Sequence, residues 1–378
     1  MAIDARQSAP TPPGLSQALD ALEGARDATL ELVAPLDDEQ LKRVVSPLMS
    51  PLVWDLGHIA AYEDLWLAHR LGGRELLRPD LAALYDAFET PRAVRGDLEL
   101  LDSAGANRYM QAVRMRTADA LAERGVGDGV LCEMVARHEL QHTETMRQTL
   151  AIAGLLSHAD VDARGRPVDA GADEDDEWVA VEAGPFQLGA SDEGFSYDNE
   201  RPRHVAQTSA FEIARLPVRN AALRRFADDG GYRRRGLWSS DGWAWLQEQD
   251  HALHPAVASG DPDAPACHLS WFEADAFARA SGARLPSEVE WEKAAASGSL
   301  ASVGRVWEWT GSVFDGYPGF VAHPYREYSE VFFDKGYRVL RGASWATDAR
   351  VASVHFRNWD LPQRRQIFAG LRLARDTG

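Results

Sequence analysis

The stretch Arg137-His138-Glu139-Leu140-Gln141-His142 decides how the first half of this chain is read. It lies within residues 127–153, where apolar side chains recur at three and four and mark an amphipathic helix. Residues four apart on a helix face the same way, so His138 and His142 can bind one metal ion together. Taken literally the stretch is also His-Glu-x-x-His, the pattern of a zinc-dependent hydrolase with Glu139 as general base. The continuation does not complete that pattern. Residues 143–150 contain neither a glycine nor a third histidine, and the acids that follow residue 150, Asp160, Asp162 and Asp169, fall in or near a polar connector.

Working upstream, a third ligand stands in Trp54-Asp55-Leu56-Gly57-His58, inside another helical pattern at 53–71 that Pro51 introduces. With 15–33, 105–124 and 127–153 this makes a helix bundle over residues 15–156. Bundles build metal sites from inward-facing side chains on neighbouring helices, so His58, His138 and His142 form a candidate metal triad. The alternative for His58 alone is a buried, hydrogen-bonded core residue. Three neutral imidazoles suit Zn, Fe, Cu or Ni and leave coordination positions open, and spacing does not choose among these metals. The remaining histidines show no comparable spacing and read as structural or surface residues. The long connection at 72–103, with Pro79 and Pro91, is of the kind that often carries function.

The chain has 378 residues, 45% of them hydrophobic and 26% charged, which predicts two globular domains. Forty basic against 58 acidic side chains give a net charge of −18, which argues against nucleic acid and anionic membranes as partners. Cys132 and Cys267 cannot make a disulfide framework or a four-thiolate site, and reduced thiols point to a cytoplasmic protein. Residues 1–14 are Ala/Pro-rich without an apolar core and read as a disordered N-terminus. No apolar run of about 18 residues suggests a membrane span. Residues 157–177 are polar, end in an acidic run and read as a linker. From 178 to 378, Gly, Pro and Trp rise and short strands at Trp178–Val181, 185–188 and 338–340 alternate with helices at 218–228 and 271–281. A further helix is expected after Ser287, which with Glu290 makes a capping box. No internal repeat is seen, and nothing in the sequence sets an oligomeric state.

Further landmarks are Gly282-Ala283-Arg284-Leu285-Pro286-Ser287-Glu288-Val289-Glu290-Trp291-Glu292, Val306-Trp307-Glu308-Trp309-Thr310, Tyr337-Arg338-Val339-Leu340-Arg341-Gly342-Ala343-Ser344-Trp345 and Phe356-Arg357-Asn358-Trp359-Asp360, the last followed by residues 364–370. With these and the histidines, the chain resembles the EgtB-type hercynine sulfoxide synthases of ergothioneine biosynthesis over almost its whole length. The resemblance implies a multidomain α and α+β protein. It would join an N-terminal DinB-like four-helix bundle to a C-terminal formylglycine-generating-enzyme-like, C-type-lectin-like α+β domain.

The resemblance also implies Fe(II) on His58, His138 and His142. The implied reaction is O2-dependent joining of a thiol donor, γ-glutamylcysteine or cysteine, to C2 of the hercynine imidazole, giving a sulfoxide. Gln141 and Asn358, with Trp359 nearby, would hold hercynine, whose quaternary ammonium needs aromatic faces and oxygens because it has no N–H. Arg92 and Arg95 would receive the anionic donor, since carboxylates call for arginine forks, and Asp360 and Arg364 would complete its pocket. Tyr325 and Tyr328 are the candidate catalytic donors, with Tyr317 in reserve.

The chain departs from many such sequences in having only ten residues between Ala295 and Val306, and in being short around 241–270. Shortened second domains occur in selenoneine synthases, so a selenosugar donor is the alternative within this chemistry. A zinc hydrolase and a metal-stabilised bundle fused to a lectin-like binding domain are the alternatives outside it. The cysteine pair of formylglycine-generating enzymes has no counterpart, because Cys267 stands alone in its domain.

Overall fold

The computed structural model describes residues 14–156, 177–249 and 253–377. The expected disordered N-terminus (save Gly14) and acidic linker (save Glu177) therefore lie outside the described residues. The described chain divides into two compact units: residues 14–156 with 193–195, and residues 177–192 with 196–377.

The first unit is built on four long helical segments: α1 (Leu15–Val33), α3 (Leu52–Glu63), α5 (Ser103–Arg124) and α6 (Val130–Ala153). Short helices α2 (Asp38–Lys42) and α4 (Pro79–Leu84) lie in the connections. α1 packs along α6 and α3 along α5. Every residue of α3 from Leu52 to Ala61 is buried, as expected for a helix that is apolar all round. Trp54, Ile59, Val113, Met146 and Leu150 meet in this core. After Glu63 the helix continues as a π-helical segment, Asp64–Leu71, a geometry frequent near functional sites.

One glycine positions this helix by close approach. A Cβ on Gly57 would lie 2.2 Å from the Tyr85 ring, so only glycine lets that ring rest against α3. The polar groups that α3 carries inward, Asp55, His58 and Glu63, each find a partner, as burial requires.

In the second unit, β1 (Trp178–Val181), β4 (Phe211–Ala214) and β9 (Ala374–Asp376) form one antiparallel sheet. β2 (Gly184–Leu188) pairs with β3 (His204–Thr208). The third sheet has the order β7 (Asn358–Asp360), β6 (Arg338–Arg341), β5 (Trp307–Val313) and β8 (Ala369–Leu371), with β5 and β8 parallel. Helices α7 (Asn220–Asp228), α8 (Ser240–Gln247), α9 (Pro255–Ser259), α10 (Trp271–Ala280) and α11 (Glu288–Ala296) occupy the connections. Ser287 caps α11 and Glu290 closes the capping box.

The tryptophan-rich landmarks are explained by buried ion pairs. Glu308 receives Arg372 at 2.7 and 2.8 Å and the Trp291 indole N–H at 2.6 Å. Glu288 receives Arg357 at 2.7 and 3.0 Å, and Glu292 pairs with Arg341. The acid of each motif meets an arginine from a distant segment, which pins the irregular loops where few regular ladders exist. Removing one partner of such a pair costs about 3–5 kcal/mol, because the other charge is left buried alone.

Candidate metal centre and candidate substrate contacts

His58 on α3 and His138 and His142 on α6 come together, with one ligand nitrogen from each lying within 4.8 Å of the others. His58 Nδ1 donates to the Tyr85 carbonyl at 2.7 Å, since a carbonyl can only accept. His142 Nδ1 likewise donates to Asp55 Oδ1 at 3.0 Å. A ring that donates through Nδ1 presents Nε2 as its ligand atom, and His58 Nε2 lies 3.2 Å from His138 Nε2. Burial, and next the neighbouring His142, hold His58 well below the ordinary imidazole range. Burial does the same to His138, with His142 and His58 adding to it. The donor set is three converging imidazoles, two of them oriented through Nδ1, which fits a divalent transition metal.

Glu139 does not join this set. It is buried on α6 and accepts from Arg26 Nε at 2.8 Å, while Arg26 Nη2 reaches Glu63 at 2.9 Å. Arg114 also binds Glu63, at 2.8 Å. A hydrolytic general base needs its carboxylate free to take a proton from water at the metal. Glu139 is instead half of an interhelical ion pair, and the zinc-hydrolase alternative loses its base.

The paired arginines part company. Arg92 is exposed and donates to the Leu48 carbonyl at 3.3 Å. Arg95 is buried: it donates to the Thr90 and Ala87 carbonyls and to Ser50 Oγ, and lies 3.5 Å over the Trp54 ring. Trp54 in turn stacks on His58 at 4.7 Å. Burial lowers the Arg95 pKa to about 10, with the nearby Asp55 carboxylate opposing the shift. The expected open fork at Arg95 is partly engaged, by two main-chain oxygens and by Ser50 Oγ. Gln141 is half-buried on α6, one residue before His142.

In the second unit Asn358, Trp359 and Asp360 form β7, paired with β6. Trp359 stacks on Phe314 at 4.1 Å, and Phe332 and Tyr328 are at 5.5 and 5.7 Å. Asp360 accepts from Leu361 N and Gln366 Nε2 and lies 3.6 Å from Arg364 Nε. Nε and Nη1 of Arg364 and Oε1 of Gln366 are buried without a hydrogen-bond partner among the described residues. Such groups are costly unless something satisfies them. Tyr325 and Tyr328 are half-buried, ring centroids 6.3 Å apart, and Tyr328 stacks on Tyr197 at 4.4 Å. The reserve candidate, Tyr317, is buried, donates to Glu288 at 3.3 Å and packs against Arg357. Both cysteines are free, Cys132 buried and Cys267 half-buried.

Sequence reasoning passed over Asp55, Arg26, Glu63 and Arg114. Asp55 had a signal: a carboxylate three residues before His58 in an otherwise apolar helix. Arg26 had a weaker one, since it shares the inward face of α1 with Leu22, Ala25 and Thr29.

The class follows from both units. Residues 21–146 match the DinB superfamily, and residues 165–303 and 299–377 match the sulfatase-modifying factor enzyme 1-like domain, giving a two-part chain with a three-histidine centre in the bundle. The chain belongs to the hercynine oxygenase family. It is 41% identical to the hercynine oxygenase of Mycolicibacterium thermoresistibile, covering 93% of each chain. It is 40% identical to that of Mycolicibacterium smegmatis, over 94% of this chain and 98% of the relative. A formylglycine-generating enzyme of Streptomyces coelicolor is 34% identical over 35% of this chain and 49% of its own length. No described helix is long and apolar enough to cross a membrane.

Proposed function

We propose that this protein is an iron(II)- and O2-dependent oxygenase that joins a thiol donor to C2 of the hercynine imidazole, forming a sulfoxide in ergothioneine biosynthesis. The observation that carries the reading is the convergence of His58, His138 and His142, with two rings oriented through Nδ1, in a chain of the hercynine oxygenase family. These three residues would hold Fe(II), which when bound supplies open coordination positions and one-electron chemistry toward O2.

The other residues act by position. Asp55 and the Tyr85 carbonyl hold the rings so that Nε2 is presented without rotation. Gln141, Asn358 and the Trp359 face are assigned to hercynine, an aromatic face being what a quaternary ammonium can use. Arg92, Arg95, Asp360 and Arg364 are assigned to the donor, the arginines for carboxylates and Asp360 for the α-ammonium. The unsatisfied nitrogens of Arg364 support this, since an anion would complete them. Arg95 also lies over the Trp54 ring. Tyr325 or Tyr328 provides a phenolic proton, and the reaction is placed in the cytoplasm.

Metal analysis under anaerobic conditions with an oxygen-uptake assay tests the reading. Fe(II) uptake and hercynine-dependent O2 consumption in the presence of a thiol are expected. Obligate zinc, or no hercynine-dependent O2 consumption with any donor, would overturn it.

A further inference from the structure

The three rings of the metal centre are not held alike. His58 and His142 each have Nδ1 tied by a hydrogen bond. Among the described residues, the only ring-nitrogen contact of His138 is Nε2 against His58 Nε2. Its ring lies instead flat on Tyr62, centroids 3.7 Å apart and planes within 10°. The contacts among the histidines themselves are longer and tilted, at 4.6, 4.7 and 5.0 Å.

We infer that Tyr62 is a positioning residue for His138, its aromatic face taking the place of the hydrogen bond that orients the other two ligands. Tyr62 stands one turn beyond His58 on α3, as His142 stands one turn beyond His138 on α6, so four rings at helical spacing meet between two helices. A buried clamp fixes their register. Glu63 follows Tyr62, Glu139 follows His138, and Arg26 binds both, at 2.9 and 2.8 Å. Sliding either helix by one residue would break a buried ion pair, so Tyr62 and His138 stay level. Beyond Glu63 the chain turns π-helical and the phase of the inward face changes. Tyr62 is therefore the last ring α3 can offer on the histidine face. The role assigned is that of the ring face.

The inference rests on the metal reading above, and its test separates the two. Full-length wild type, Tyr62→Phe and the ringless Tyr62→Leu and Tyr62→Met would be titrated with Co(II), following both affinity and the ligand-field absorption. Circular dichroism of the metal-free proteins checks folding, and the NMR shifts of the His138 ring protons report stacking without metal. Tyr62→Phe should match wild type. The folded ringless variants should bind about 10-fold or more weakly, the low end of what loss of an orienting partner costs, with an altered spectrum and loss of the ring-current shift. Wild-type affinity and spectrum in either ringless variant, or weakened binding in Tyr62→Phe, would overturn the role of Tyr62. A wild-type protein that takes up no Co(II) would overturn the metal reading, and the inference with it.

Discussion

Asp55 on α3 accepts a hydrogen bond from Nδ1 of His142 on α6 at 3.0 Å, so the carboxylate that orients one ligand comes from the helix that supplies another. Asp55→Ala should therefore weaken metal binding about 10- to 100-fold while the fold persists. Anaerobic Fe(II) titration checks this, and undiminished affinity would remove Asp55 from the centre.

Glu139→Gln separates the ion-pair role from the hydrolytic one. Removing a charge from a buried pair should lower stability by about 3 kcal/mol, read as a shifted denaturant midpoint. A general base would behave differently, losing turnover at unchanged stability.

Gly57→Ala should push Tyr85 away from α3 and with it the carbonyl that holds His58 Nδ1. Reduced metal stoichiometry together with a lower melting temperature is expected. Full stoichiometry would mean that the Tyr85 carbonyl is dispensable.

In the second unit, burial lowers the His268 pKa to about 4, against a stabilising hydrogen bond to the Arg365 carbonyl at 3.1 Å. A folded pKa below the unfolded one contributes stability that is complete above about 6.5 and is lost as pH falls toward 4. His58, His138 and His254, the last stacked on His268 at 4.6 Å, shift the same way in the metal-free protein, so the comparison must be with a variant. His268 has φ 63, which asparagine tolerates, and His268→Asn should flatten the fall in denaturant midpoint between pH 6.5 and 4. An identical slope in the variant would exclude His268 as a source.

Tyr325→Phe should divert turnover from C–S bond formation toward oxidation of the thiol alone. Product partitioning is measured by mass, and an unchanged ratio would transfer the role to Tyr328.

Where periodicity and local turn chemistry act together, the fold is legible in the chain. α1 occupies Leu15–Val33 as its pattern predicts, and the Ser287 cap opens α11. Deviations have local causes. α6 begins at Val130 rather than at 127 because Gly127 and Gly129 adopt positive φ. α7 begins at Asn220 because Val218 donates to Leu371 and Arg219 bridges to Pro265. The connection at 72–103 holds α4 and a 3-10 turn, Arg92–Asp97, both too short for periodicity to register. Helical spacing alone brings His138 and His142 to one face. The clamp of Arg26, Glu63, Arg114 and Glu139 is hidden in sequence because its partners are pairs across the bundle, and no one-dimensional period records them. The burial of Arg95 is hidden for the same reason: its acceptors are Ser50 Oγ and two carbonyls of a loop whose path the sequence does not specify.

The most direct measurement is the product mass after incubating the Fe(II)-loaded protein with hercynine, O2 and a panel of donors that includes γ-glutamylcysteine, cysteine and a selenosugar. A product in which hercynine and a thiol are joined with added oxygen as a sulfoxide is the expected result, lost in His58→Ala. Unmodified hercynine with every donor, or the same product from His58→Ala with full iron occupancy, would contradict the assignment of this centre.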